Sequence, residues 1–174
     1  MTLNPRIYIG PLEAVANALV AHRPSHIVSL LDQASMIPTP DGILSEHHLK
    51  LSMNDISSPR EDLVAPSQAH VEQLIAFVRT WDQRSPILIH CWLGISRSTA
   101  AAFITLCTLN GDGVAESNLA RKVRTHAPYA APNPLLVAFA DNLLGREGRM
   151  SAAINALGPS VGTRSNLVAL PVHS

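Results

Sequence analysis

The sequence predicts an α/β fold: a central, mostly parallel sheet of about four to five strands, flanked by helices. Three observations lead there. Apolar runs of strand length recur at residues 6–10, 26–32 and 86–90. Helix-period patterns separate them, and Pro or Gly stands at most of the junctions. Strands that alternate with helices build a parallel sheet with helices on both faces, joined by right-handed crossovers.

Arg6-Ile-Tyr-Ile-Gly10 is short, apolar and ends on a Gly-Pro breaker, so it reads as a strand. Pro11 suits a helix start, and Leu12, Val15, Ala16 and Leu19 carry an apolar stripe to about Ala21. His26-Ile-Val-Ser-Leu-Leu-Asp32 fits a strand buried on both faces. A turn cluster at 38–42 follows, then His47 to Met53, whose polar–apolar alternation fits a strand with one wetter face. Residues 54–66 are polar and proline-broken, a loop. Residues 66–84 place Val71, Leu74, Ile75, Val78 and Trp81 on one face of an amphipathic helix. Pro86-Ile-Leu-Ile-His90 is the next strand. An Ala- and Thr-rich run from about Ser96 to Asn110 reads as a buried helix, stopped by Gly111-Asp-Gly113, and residues 114–125 and 133–144 read as two more. The domain is expected over residues 1–145. Residues 151–157 suit a helical turn or two, and residues 146–174 as a whole are expected to be a peripheral or disordered tail.

The 174 residues suit one domain, and 47% hydrophobic against 15% charged residues supply a core. Thirteen Lys and Arg balance thirteen Asp and Glu, so there is no basic excess for a nucleic-acid groove or a polybasic membrane surface. A local anion pocket needs only one or two cations and stays open. Two cysteines, Cys91 and Cys107, cannot form a disulfide framework. The first residues lack the order of a signal peptide, and the longest nearly apolar stretch, 99–109, is too short for a bilayer. The expectation is a soluble cytoplasmic monomer in which a lone cysteine matters as a thiol.

The loop after residue 90 lies at the carboxyl end of a strand, where ligands bind in such sheets. It reads His90-Cys91-Trp92-Leu93-Gly94-Ile95-Ser96-Arg97-Ser98. Gly94 lets the backbone turn. Loop amides and the free N–H groups of the following helix would then form an anion nest. Arg97, six positions after Cys91, supplies a planar fork for two phosphoryl oxygens. Helix terminus, Arg97 and the Ser98 hydroxyl all favour a thiolate at Cys91. A thiolate on the floor of a phosphate cradle is a nucleophile aimed at phosphorus. No cofactor is required, and no cluster of metal ligands stands out.

This constellation resembles the protein tyrosine phosphatase superfamily, whose motif is His-Cys, five residues, Arg, then Ser or Thr; the form here looks most like the dual-specificity phosphatases. A chance match of these positions is on the order of 10⁻⁷ per position from residue frequencies. The resemblance covers roughly residues 6–144. It implies a phosphocysteine mechanism on a phosphorylated protein substrate, with residues 90–97 as the phosphate-binding loop. It further implies that Ser98 assists the departure of sulfur and that a general-acid Asp lies on a loop between a strand and a long helix. Asp55 holds that place, with Glu61 and Asp62 as rival acids nearby. His90 would order the loop through backbone hydrogen bonds. Ala-Pro-Asn-Pro-Leu-Leu at 131–136 resembles the family's Pro-Asn stretch, with Asn133 either a helix cap or a site support.

Two departures matter. Trp92 and Leu93 are bulky where the family often has a small residue, commonly Ala, at the second of the two positions, and the loop carries no lysine, which disfavours an inositol polyphosphate headgroup. Phosphotyrosine is the expected substrate; phosphoserine and phosphothreonine depend on cleft depth. Two other readings stay open: a catalytically weak phosphate-binding or pseudophosphatase module, and a sulfurtransferase or arsenate reductase using a Cys-x5-Arg loop. Among the remaining polar groups, Cys107 reads as packing, the His47-His48 pair as strand or solvent residues, and Arg121, Lys122 and Arg124 as a solvated face.

Overall fold

The computed structural model describes residues 5–173; residues 1–4 and 174 of the expected domain and tail lie outside them. Five strands form one sheet: β1 (Arg6–Pro11), β2 (His26–Leu31), β3 (His48–Ser52), β4 (Ile87–Cys91) and β5 (Val168–Pro171), in the order β3-β2-β4-β1-β5. The first four are mutually parallel, and β5 adds antiparallel to the free edge of β1. β4 therefore lies in the middle, with its carboxyl end directed into the Cys91 loop, and every residue of it is buried.

The period-2 alternation of the strands divides the core. Ile7, Ile9, Val28, Leu30, Leu51, Ile87 and Ile89 pack with the helices α2 (Gln68–Thr80), α3 (Arg97–Asn110), α4 (Glu116–His126), α5 (Pro134–Leu143) and α6 (Arg149–Asn155). Ile27, Leu88 and Tyr8 face the single helix α1 (Val15–His22) on the other side. Helices thus cover both faces, unequally. α3 is buried from Arg97 to Cys107 because small Ala and Thr side chains let the sheet and its neighbouring helices approach it from all sides.

Several boundaries differ from the sequence expectation. Pro11 ends β1 rather than starting the helix, and a 3₁₀ turn (Leu12–Ala14) intervenes before α1. α2 stops at Thr80, where Trp81 turns extended, inserts its ring into the core and donates Nε1–H to the Ser85 carbonyl at 2.8 Å.

The largest correction concerns residues 146–174, expected to be peripheral or disordered. α6 buries Met150 and Ala153, β5 completes the sheet with Leu170 inaccessible to solvent, and Val172 just beyond it is inaccessible too. Arg124, expected on a solvated face, instead donates to the carbonyls of Leu157, Gly158 and Pro159, and Lys122 reaches the Pro171 carbonyl. Two cations of that helix therefore tie down the C-terminal segment, while Arg121 stays exposed. Arg146, itself buried, bridges Glu116 and Asp112 and donates to the Cys107 carbonyl at 3.1 Å. Cys107 is packing, and burial pushes its thiol up to about 12.

Candidate active site

The loop from Cys91 to Arg97 leaves β4 and enters α3, and three elements fix its path. Gly94 has φ +70°, and a Cβ there would stand 2.6 Å from the Pro11 nitrogen and 2.7 Å from the Gly10 carbonyl carbon. Backbone cannot give way at that distance, so only glycine fits. The end of β1 holds the loop through the Leu12 N–H, which donates to the Trp92 carbonyl at 3.1 Å. From the other side, the Ser165 hydroxyl of the C-terminal segment donates to the Leu93 carbonyl. The 131–133 stretch clips the far end: Ala131 N–H donates to the Ile95 carbonyl at 3.0 Å and Asn133 N–H to the Ser96 carbonyl at 3.3 Å.

Within that frame Cys91 is 2% exposed, and its Sγ accepts the Gly94 N–H at 3.2 Å and lies 3.3 Å from the Ser98 Oγ. Both contacts can donate to sulfur in its thiolate form. Arg97 is 6% exposed and is anchored by Nη1 donating to the Met53 carbonyl at 2.8 Å, at the end of β3. Its Nε–H is buried with no partner. A guanidinium placed in this way, at the first turn of α3, keeps a donor edge in reserve for an anion.

Asp55 reaches the same cleft from the loop between β3 and α2. Its Oδ1 accepts from the Ser96 hydroxyl at 2.7 Å and from Asn133 Nδ2 at 3.0 Å. Asn133 resolves its two readings by serving both: Oδ1 caps α5 through the Leu135 and Leu136 N–H groups, and Nδ2 holds Asp55 and the Ile56 carbonyl. The cleft, about 250 Å³, is lined by Asp32, Asp55, Cys91, Trp92, Leu93, Ile95, Ser96 and Arg97. Glu61 and Asp62 are exposed and do not line it. Trp92 and Leu93 form its lips, 51% and 60% exposed.

The backbone hydrogen bonds expected of His90 are not formed at its Nδ1, which is buried without a hydrogen-bond partner. Its Nε2 makes a 2.6 Å bond across the sheet to Ser29 Oγ, which also bonds His48 Nε2 at 2.8 Å; His48 Nδ1 continues to Thr39 Oγ1 at 3.0 Å. One hydroxyl donates to one ring and accepts from the other, which fits two neutral imidazoles. Burial pushes both rings down to about 4; for His90 the Cys91 backbone opposes that shift. In the unfolded chain these rings titrate near the ordinary histidine value of 6.5, so it binds protons first as the pH falls. Their neutral-state contribution to stability is complete above about pH 6.5 and is lost as the pH falls towards 4. His26 and His70, also lowered by burial, add to the same slope. Urea midpoints measured from pH 7.5 to 4 are expected to fall mainly within that window, and His48→Gln to flatten the slope. A level profile down to pH 5 would contradict it.

Sequence reasoning missed Asp32, Ser29, His48 and Ser165. The rule that flagged the Cys91 loop would also have flagged Asp32, since it follows the carboxyl end of β2. Nothing local marks the others, whose roles arise from partners distant in sequence. Among the described residues, no group of three or more His, Cys, Asp or Glu side chains is placed to hold a metal ion, and no helix is long and apolar enough to cross a membrane.

The solved structures that this chain is similar to share this architecture. It superposes on DUSP15 with a TM-score of 0.61 and 20% identity, covering 93% of this chain and 96% of that one. Human DUSP28 gives 0.61 at 22% identity, over 81% and 89%. The human tyrosine phosphatase-like serine/threonine/tyrosine-interacting protein gives 0.62 at 17%, over 81% and 92%. No protein-family model and no curated protein matches the sequence. The chain has the fold of the dual-specificity phosphatases, with, among the described residues, a five-stranded, mostly parallel sheet flanked by six helices.

Proposed function

We propose that this protein is a cysteine-dependent, metal-independent phosphoprotein phosphatase that hydrolyses phosphotyrosine through a phosphocysteine. One observation carries the reading: Cys91 Sγ, the unpartnered edge of buried Arg97 and the Asp55 carboxyl converge on one cleft. The Cys91 sulfur attacks phosphorus in line, and the P–O bond to the leaving group breaks. Arg97 and the loop amides stabilise the equatorial oxygens as charge builds. Both bonds to Asp55 fall on Oδ1, so Oδ2 is the atom left to carry the proton that the departing oxygen takes. Asp55 then accepts a proton from the attacking water, the S–P bond breaks, and Ser98 donates to the sulfur as inorganic phosphate leaves.

The apolar lips suit a phosphotyrosine ring; action on phosphoserine and phosphothreonine belongs to the same proposal, since the chemistry at phosphorus is unchanged. A reducing, cytoplasmic setting accords with the free thiol at Cys91. The test is hydrolysis of para-nitrophenyl phosphate from pH 5 to 8 with a thiol reductant and a metal chelator. Turnover that survives the chelator and is blocked by vanadate is expected. A folded chain that binds vanadate without turnover would instead make it a pseudophosphatase module, and thiocyanate formation from thiosulfate and cyanide would make it a sulfurtransferase.

A further inference from the structure

The wall of the cleft carries a charge that phosphate binding does not call for. Asp32 lies at the carboxyl end of β2, and its Oδ1 accepts the Ser35 N–H at 3.0 Å, capping the 3₁₀ turn Gln33–Ser35. The Ser35 hydroxyl reaches both carboxylate oxygens, at 3.0 and 2.9 Å. These donors, the hydroxyl first, hold the carboxyl below its usual range, so it is ionised at neutral pH. Among the described residues, no Lys, Arg or His is within ion-pair distance of it. The cap does not require the charge, because asparagine caps as well as aspartate. An unpaired carboxylate thus faces a site built for a phosphoryl dianion. Among the described residues, the one cation lining that site, Arg97, is committed to the Met53 carbonyl and to the phosphoryl group.

Such a charge repels any second anionic group that a substrate brings and attracts a cation beside the phosphate. Trp92 lines the same cleft with half its surface exposed, and an indole face also favours a cation. We propose that Asp32 is a specificity residue that selects phosphosites flanked by lysine or arginine and rejects those flanked by acidic residues or by a second phosphate. The inference rests on the phosphatase reading and names the substrate class of the same site.

The test uses phosphotyrosine peptides that differ only in the flanking residues, paired Arg, Ala or Glu. The wild-type chain gives kcat/KM, and Cys91→Ser gives Kd, each at low and high salt. Basic flanks are expected to be favoured over acidic ones by about three- to tenfold, with the ratio shrinking at high salt. Asp32→Asn, which keeps the cap acceptor, is expected to bring the ratio to near one. Equal values for basic and acidic peptides would overturn the inference, as would a preference that survives in Asp32→Asn or one that salt leaves unchanged. The phosphatase reading fails separately: para-nitrophenyl phosphate brings no flanking charge, so its turnover reports the chemistry, and the Kd values of Cys91→Ser report the charge preference even without turnover. If Asp32→Asn does not fold, the salt dependence of the wild-type ratio decides.

Discussion

Cys91→Ser is expected to abolish turnover of para-nitrophenyl phosphate, by a factor on the order of 10⁴ or more, and to leave the affinity for phosphate or vanadate near its original value. The two halves follow from different parts of the site. Turnover needs a nucleophile that is ionised near neutral pH, and a serine hydroxyl is not. The Ser98 hydroxyl beside it is a donor, not a base strong enough to take its proton. Removing the attacking atom from a covalent mechanism costs nearly the whole of the chemical acceleration. Binding, by contrast, is carried mainly by groups other than the sulfur: the free edge of Arg97, the loop amides and the first turn of α3, of which the Gly94 N–H and the Ser98 hydroxyl meet the sulfur and can meet a serine oxygen in its place. The loop keeps its path too, since most of what sets it bypasses the sulfur: the fit of Gly94 against the Gly10 and Pro11 backbone, the Leu12 N–H, the Ser165 hydroxyl and the Ala131 and Asn133 N–H groups. Single-turnover kinetics paired with vanadate titration separates the two. Residual turnover within a factor of about ten of wild type would remove the phosphocysteine path, and lost vanadate binding would mean that the thiol itself shapes the nest.

How far the sequence foretold the structure depends on how local each feature is. β1, β2, β4 and the helices between them are each specified by a run of adjacent residues, and Ile7, Leu30, Ile87 and Leu74 are fully buried as their patterns imply. β5 escaped because it has four residues, mostly half-exposed, and the strand it pairs with, β1, lies at the other end of the chain. Segment 158–167, with Gly158, Pro159 and Gly162, has no periodicity to read; what orders it is Arg124 on one side and the Tyr129 hydroxyl, which donates to the Asn166 carbonyl at 2.7 Å, on the other. The site divides the same way. Cys91, Gly94, Arg97 and Ser98 fall within eight residues, so their spacing alone suggests a cradle. Asp55 needed the order of elements as well. Ser29 and His48 are ordinary strand residues until β2 pairs with β3 and β4 and places Ser29 beside His90 in register. Ser165 acquires a role only once the C-terminal segment passes behind the loop.

Asp55→Asn separates a proton donor from a structural carboxylate. Asparagine Oδ1 can still accept from the Ser96 hydroxyl and from Asn133 Nδ2, so the contacts that place the side chain persist and only the proton at the second oxygen is lost. The cost must then scale with how badly the leaving group needs that proton. With a phosphotyrosine peptide or phenyl phosphate the expected loss in kcat is about 10²- to 10³-fold, within the usual range for general acid catalysis. With an activated ester, whose phenolate leaves unaided, less than about tenfold is expected. The same contacts give the experiment its discrimination. Had Asp55 served mainly to brace Ser96 at the mouth of α3, the loss would be felt equally by every substrate, because a displaced loop misaligns attack regardless of what departs. Equal losses with good and poor leaving groups would therefore reassign Asp55 as a brace. A selective loss in Asp62→Asn would move the acid to a residue that lies outside the cleft, exposed and at φ +63°, and would require its loop to fold over the bound substrate. Because Asn133 holds the same oxygen, Asn133→Ala should reproduce part of the selective loss while also weakening the cap of α5; a selective loss shared by both variants would trace the proton to the carboxylate that Asn133 positions.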